Sequence, residues 1–223
     1  MPQAAAAVVA DGLSRRFGPV EAVREVSFAV APGEILGLVG PDGAGKTTIM
    51  RMLAGVLSPD VGEIALDGID VRAEPERAKL HLSYMPQRFG LYEDMTVAEN
   101  ILFYATLFAV PRKERRARSA QLLAAAGLGE FGRRLAGQLS GGMKQKLGLV
   151  CALIHTPRVL LLDEPTTGVD PVSRRDFWTI LYGLRESGVT ILVCTAHMDE
   201  AERCSRLALL HGGGSVRSIP WRG

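Results

Sequence analysis

Cysteine is scarce in this chain and scattered. Its three residues, Cys151, Cys194 and Cys204, form no CxxC pair, which argues against a disulfide framework or a thiolate zinc site and fits a reducing compartment. Long apolar runs are missing as well. No stretch reaches the roughly 18 apolar residues of a membrane span, and the opening MPQAAAAVVADG has neither the basic start nor the long apolar core of a secretory leader. Charge is nearly balanced, 26 Lys+Arg against 24 Asp+Glu for a net +2. No global field therefore selects nucleic acid or acidic lipid, and no nucleic-acid partner is expected. Internal repeats, low-complexity tracts and an evident interdomain linker are also lacking. What remains is 223 residues, 47% hydrophobic, enough to enclose one sizeable core.

What the chain does have is alternation. Residues 8 to 39 set short β-branched runs between turn residues: VV, then AVREVSFAV, Pro32-Gly33 and the near-continuous apolar EILGLVG, which predicts strands with the last one buried. From Thr47 to Leu57, the apolar residues Ile49, Met50, Leu53, Ala54 and Leu57 share one helical face. GEIALDGIDV predicts another strand and turn, Pro75 suits the first turn of a short helix, and LSYMP leads out of it. Between Arg88 and Leu139 the pattern becomes mainly helical, with one helix over 97–110 and a basic segment from Pro111. Alternation then resumes with a helix after Gly142, the strand VLLL, a helix through Trp178 and Leu184, the strand VTILVCT and a closing LALL. A parallel α/β domain with a helical insert is the expectation.

Two segments carry chemistry. Gly40, Pro41, Asp42, Gly43, Ala44, Gly45, Lys46 and Thr47 read GPDGAGKT between an apolar strand and an amphipathic helix, the context required of a GxxxxGK[ST] phosphate loop. Small residues let backbone N–H groups close around phosphate, the helix N-terminus adds a favourable dipole, Lys46 reaches the terminal phosphates, and the Thr47 hydroxyl suits magnesium. A chance glycine-rich turn would match in about one chain in a hundred of this length, and the flanking strand and helix lower that further. The second segment, VLLLDE, puts Asp163 and Glu164 at the carboxyl end of a strand, where open parallel sheets bind ligands. Asp163 offers a hard oxygen to magnesium, and Glu164 is placed to activate a water as general base. Alone, this pair would more often be a solvated turn; downstream of a phosphate loop the functional reading is favoured.

Leu139, Ser140, Gly141, Gly142, Met143, Lys144 and Gln145 read LSGGMKQ, about twenty residues before VLLLDE. By itself this is a serine N-cap followed by glycines. In this order and spacing it resembles the ATP-binding-cassette ATPases, and the likeness runs from about Val8 to Leu210. The resemblance implies a P-loop α/β fold with a mainly parallel core sheet, an N-terminal antiparallel β subregion and a helical insert. It implies one domain over 1–223, the insert occupying 88–139 with the signature at its end. ATP and Mg2+ are the implied cofactors, with Lys46, Glu164 and His197 in catalysis. Nucleotide would be held by the whole loop from Gly40 through Thr47 and Thr48, with Phe17 stacking on adenine, and by Gln87, Ser140, Gly141, Gly142 and Asp170. Magnesium would be held by Thr47, Gln87 and Asp163.

Read from their own surroundings, Phe17 serves equally as a packing residue, Gln87 as a loop amide and His197 as a structural histidine. The resemblance implies instead that Gln87 senses nucleotide, that His197 in TAHMDE contacts the γ-phosphate, and that Asp170 in PTTGVD bridges two subunits. It further implies a dimer, with a second copy or a homologous subunit, in which one signature covers the nucleotide of the other. That dimer would lie against the cytoplasmic face of the plasma membrane, beneath an integral permease on a separate chain.

GPDGAGKTT, PQRFGLYEDMTVAENILFYA, LSGGMKQKL and PTTGVDPVSRRDFW look most like the bacterial drug-exporting branch. Phe89, Leu91 and Tyr92 suit either a cleft for a permease helix or the insert's own core, and RKERRAR reads as a solvated helix face. A soluble cassette ATPase would ordinarily carry paired cassettes or long coiled coils, and a non-hydrolysing interaction module would be expected to lack Glu164 or His197. Where the family continues past LALL into a hairpin, this chain reads HGGGSVRSIPWRG and is expected to stop short of one.

Overall fold

The computed structural model describes residues 6–212 and 214–220; the first five residues of the opening MPQAAAAVVADG lie outside them. The chain divides into two compact units, one comprising Met1–Tyr84, Pro157–Pro165 and Leu184–Gly223, the other Met85–Thr156 and Thr166–Gly183.

The first unit is built on a ten-stranded sheet. Its strands are β1 (Val8–Phe17), β2 (Val20–Val30), β3 (Ile35–Val39), β4 (Val61–Leu66), β5 (Ile69–Asp70), β6 (Leu82–Met85), β7 (Val159–Asp163), β8 (Thr190–Thr195), β9 (Arg206–His211) and β10 (Gly214–Pro220), in the spatial order β5-β4-β1-β2-β10-β9-β3-β8-β7-β6. β1, β2, β4 and β5 form an antiparallel group. β9, β3, β8 and β7 run parallel. Every residue of β3, β7 and β8 is buried, which is why these strands read as unbroken apolar runs rather than alternating ones.

The helix after β3, α1 (Lys46–Leu53), is shorter than its apolar periodicity suggests. Gly55 adopts φ +65° and the N–H groups of Val56 and Leu57 turn back to the Arg51 carbonyl, so a left-handed glycine ends the helix before Leu57. Pro75 opens α2 (Pro75–His81) as expected. β10 corrects the expected C-terminal shortfall: it pairs antiparallel with β9 from Gly214 opposite His211 to Pro220 opposite Arg206, completing a hairpin. The short helix α7 (Met198–Ala201) carries too few residues to show a period.

The second unit is helical. It contains α3 (Val97–Leu107), α4 (Arg112–Ala125), α5 (Gly141–Leu153) and most of α6 (Pro171–Glu186). α3 starts at a capping box in which Thr96 accepts from the Glu99 N–H while Glu99 accepts from the Thr96 N–H. It ends earlier than residue 110, because Ala109 turns to φ +53° and Pro111 follows. α4 buries no residue, with Arg118 paired to Glu114 at 2.6 Å, in keeping with a solvated basic face. Phe89 and Leu91 pack against this unit's own core, whereas Tyr92 stays 43% exposed, its ring edge-on to Phe103.

Asn100, fully buried on α3, staples the loop that leads into the helix. It accepts from the Tyr92 N–H and donates to the carbonyls of Tyr92, Met95 and Thr96. Such a group stabilises only while every partner is met. Asn100→Ala is expected to lower stability by about 2 kcal/mol in urea unfolding. Asn100→Asp should also destabilise, because a carboxylate keeps the bond from Tyr92 N–H but has nothing to donate to the three carbonyls.

Candidate functional site

Because β3, β8 and β7 are parallel and paired with little stagger, their carboxyl ends finish together. Val39 lies opposite Thr195, and Asp163 opposite Cys194. The phosphate loop leaves β3, the acid pair closes β7, and His197 follows β8, so all three arrive at one edge of the first unit.

The loop's shape depends on two left-handed glycines. Gly43 takes φ +78° and Gly45 takes φ +91°, a region open to glycine at little cost. At Gly45 a Cβ would also fall 2.3 Å from the Ala22 carbonyl oxygen of β2, so that strand supports the loop from behind. Gly45 is the N-cap of α1 and supplies no side chain, leaving the first N–H groups of the helix for an anion. Lys46 is 5% exposed, and its ammonium donates to the carbonyls of Gly40 at 2.7 Å and Pro41 at 3.0 Å. It also lies 3.8 Å from a carboxylate oxygen of Glu164 and 4.0 Å from one of Asp42. Pro41 and Asp42 are exposed at the tip, Ala44 is buried, and Thr48 is half-buried in the first turn of α1.

Asp163 is 1% exposed and accepts two hydrogen bonds, from the Thr47 hydroxyl at 3.1 Å and from the Tyr84 hydroxyl at 3.2 Å. Burial pushes its carboxyl above the usual range, while those two bonds pull it down. A divalent cation would relieve the cost of ionising so enclosed a group. The pairing of one hydroxyl with one carboxylate oxygen fits a hard ion that takes few protein ligands and completes its shell with water and phosphate oxygens. Among the described residues no cluster of three His, Cys, Asp or Glu side chains forms a separate metal site.

Glu164 follows at φ +49°, a left-handed conformation uncommon for a residue with a side chain. Its N–H donates to the Cys194 carbonyl at 3.0 Å, so the turn is held by the neighbouring strand. His197 is exposed and opens α7, its N–H donating to the Thr195 hydroxyl at 2.9 Å. Phe17 ends β1 opposite Val20 at a hairpin tip, 47% exposed, with the Arg15 guanidinium 5.1 Å from the ring centroid. The three cysteines are buried and free. Burial raises all three thiols, Cys204 to about 12, and makes them poor nucleophiles.

The remaining candidates belong to the second unit. Gln87 is exposed on the bend after β6. Ser140 caps α5, its hydroxyl accepting from the Met143 N–H at 3.3 Å, with Gly141 exposed and Gly142 buried in the first turn. Asp170 accepts from the Ser173 N–H at 2.9 Å at the start of α6, a bond that holds its carboxyl below the usual range. A Cβ at Gly142 would meet Ser173 Cβ and Oγ at 2.4 Å, so the starts of α5 and α6 are in contact only because residue 142 has no side chain. Sequence reasoning missed Tyr84, Arg51, Asn100 and Ser173: a tyrosine in a strand or a serine in a first turn gives no sign of its partner.

The model of the family described as ABC transporter matches residues 23–167. The chain is 49% identical over 210 residues to the probable multidrug ABC transporter ATP-binding protein YbhF of Escherichia coli (strain K12), an alignment covering 93% of this chain and 36% of that protein. It is 42% identical over 205 residues to the Nod factor export ATP-binding protein I of Rhizobium etli, covering 92% of this chain and 65% of that protein. It thus spans less than the full length of both relatives. Among solved structures, the dimeric post-hydrolysis state of the ATP-binding cassette MJ0796 bound to ADP and Pi superposes with a TM-score of 0.85 at 26% identity, covering 97% of this chain and 99% of that one. A match of this extent, on a chain whose sheet edge and phosphate loop have the geometry described above, places the protein in the ABC transporter family, among its ATP-binding members.

Proposed function

We propose that the chain binds and hydrolyses ATP as the motor subunit of an exporter, acting as a dimer with a second copy or a homologous subunit. The observation that carries this reading is the meeting of Lys46, Thr47, Asp163 and Glu164 at one sheet edge, with Thr47 3.1 Å from Asp163 and Lys46 3.8 Å from Glu164. Export is supported by the relatives' names, one a probable multidrug transporter subunit and one a Nod factor export protein. In this reading the chain lies on the cytoplasmic face of the plasma membrane beneath a permease on another chain. Among the described residues no helix is long and apolar enough to cross a membrane.

Each residue has a task that follows from its chemistry. The N–H groups at the start of α1 receive the phosphates, and Lys46 exchanges its loop carbonyls for phosphate oxygens as nucleotide enters. Thr47 and Asp163 would hold magnesium, which would supply charge neutralisation at the phosphates. Glu164 orients and deprotonates the attacking water, and His197 donates a hydrogen bond to the terminal phosphate. Phe17 gives adenine an aromatic face, and Gln87 ties phosphate occupancy to the helical insert, residues 88–139 of one cassette domain. Ser140, Gly141 and Gly142 cover the nucleotide of the partner subunit, and Asp170 lies at the subunit boundary. Closing on ATP and reopening after hydrolysis would convert the difference in affinity between two states into work on the permease.

Glu164→Gln is expected to lower magnesium-dependent ATP turnover at least about 100-fold and to accumulate an ATP-bound dimer in light scattering. A wild type that neither hydrolyses ATP nor associates with it would sink this reading. A second expectation follows from the contact between α5 and α6. Gly142→Ala should cut turnover on the order of 100-fold by displacing the signature turn, and adding Ser173→Gly, which removes the clashing atoms, should restore much of it. Equal activity in the single and double variants would refute the steric argument.

A further inference from the structure

Among the described residues, Tyr84 is hydrogen-bonded to Asp163 although no motif accounts for it. Its half-buried ring packs against the core of the first unit, and its hydroxyl donates to Asp163 Oδ2 at 3.2 Å, while Thr47 donates to Oδ1 at 3.1 Å. The Arg51 guanidinium lies near the same hydroxyl. An ionised carboxylate only accepts, so the phenolic hydrogen is the one shared with Asp163.

Thr47 and Arg51 are four residues apart on α1 and share one face of that helix. The carboxylate is thus held twice, by Thr47 from the helix and by Tyr84 from β6. The two holds differ in what they have to give. The Thr47 hydroxyl is also wanted by the cation, whereas Tyr84 has no other task at the site.

We propose that Tyr84 is a positioning residue for the divalent cation: it holds Asp163 in the orientation in which the carboxylate serves as a metal ligand. Outer partners of this kind fix the geometry of the ligand they touch, and their loss weakens metal binding more than it weakens the fold. The inference rests on the nucleotide-and-magnesium reading above.

The test is Tyr84→Phe, which removes only the hydroxyl, with Arg51→Met as a second variant that removes the neighbouring charge and leaves Tyr84 in place. Binding of Mn2+ in the presence of a non-hydrolysable ATP analogue is read by electron paramagnetic resonance, and binding of the analogue alone is measured in EDTA. For Tyr84→Phe, the Mn2+ affinity should fall about 10-fold while the affinity for the analogue in EDTA stays at the wild-type value; Arg51→Met should fall in the same direction by less. In turnover assays the half-saturating Mg2+ should rise, with kcat at saturating Mg2+ returning toward wild type. Wild-type Mn2+ affinity in Tyr84→Phe, or an equal loss with and without metal, overturns the proposal while leaving the nucleotide reading intact. A wild type that binds no Mn2+ with the analogue overturns both.

Discussion

Everything at the candidate site depends on the parallel ladder that joins β3, β8 and β7. Three strands with every residue buried have no face to turn outward, and their backbone groups are satisfied by pairing with neighbouring strands. Pairing them in the same direction, Val39 beside Thr195 and Asp163 beside Cys194, brings three chain segments that are far apart in sequence to one edge. The phosphate loop, the acid pair and His197 meet there because a slip of even one residue would misplace both the ladder and the buried side chains.

Around that edge the chain accepts conformations that it avoids elsewhere. Gly45 is left-handed with the Ala22 carbonyl where a side chain would be, and Glu164 is left-handed despite having one. The second case is the more informative. A glycine would be the easier residue at φ +49°, so a carboxylate standing there fits a group needed for chemistry, with the bond from its N–H to the Cys194 carbonyl holding the turn. Asp163 is similarly unfavourable in isolation. A carboxyl with 1% exposure is tolerable because two hydroxyls donate to it.

The second unit follows the same physical rules with different materials. Asn100 ties the loop before α3 by satisfying four backbone groups at once, and the Ser140 and Asp170 side chains each accept a backbone N–H at a helix start. These are local bonds, yet they place the signature turn: α5 and α6 begin side by side only while residue 142 lacks a Cβ.

The sequence by itself determined the order of elements, the phosphate loop, the acid pair, the Ser140 cap and the buried character of the central strands. Each is encoded within a few neighbouring residues, as an apolar run, a glycine spacing or a cap, and such signals survive without knowledge of the rest of the chain. Helix ends were less legible, because α1 stops at a left-handed Gly55 and α3 at a left-handed Ala109, choices made by φ rather than by apolar period. The final strand was misread, because HGGGSVRSIP has little apolar alternation and β10 gains its partners from β9 and β2. Tertiary structure alone decided which side chains touch Asp163. Tyr84 carries no motif, and its meeting with that carboxylate depends on β6 and β7 being assembled, since a hydrogen bond between residues 79 positions apart exists only after the sheet has formed.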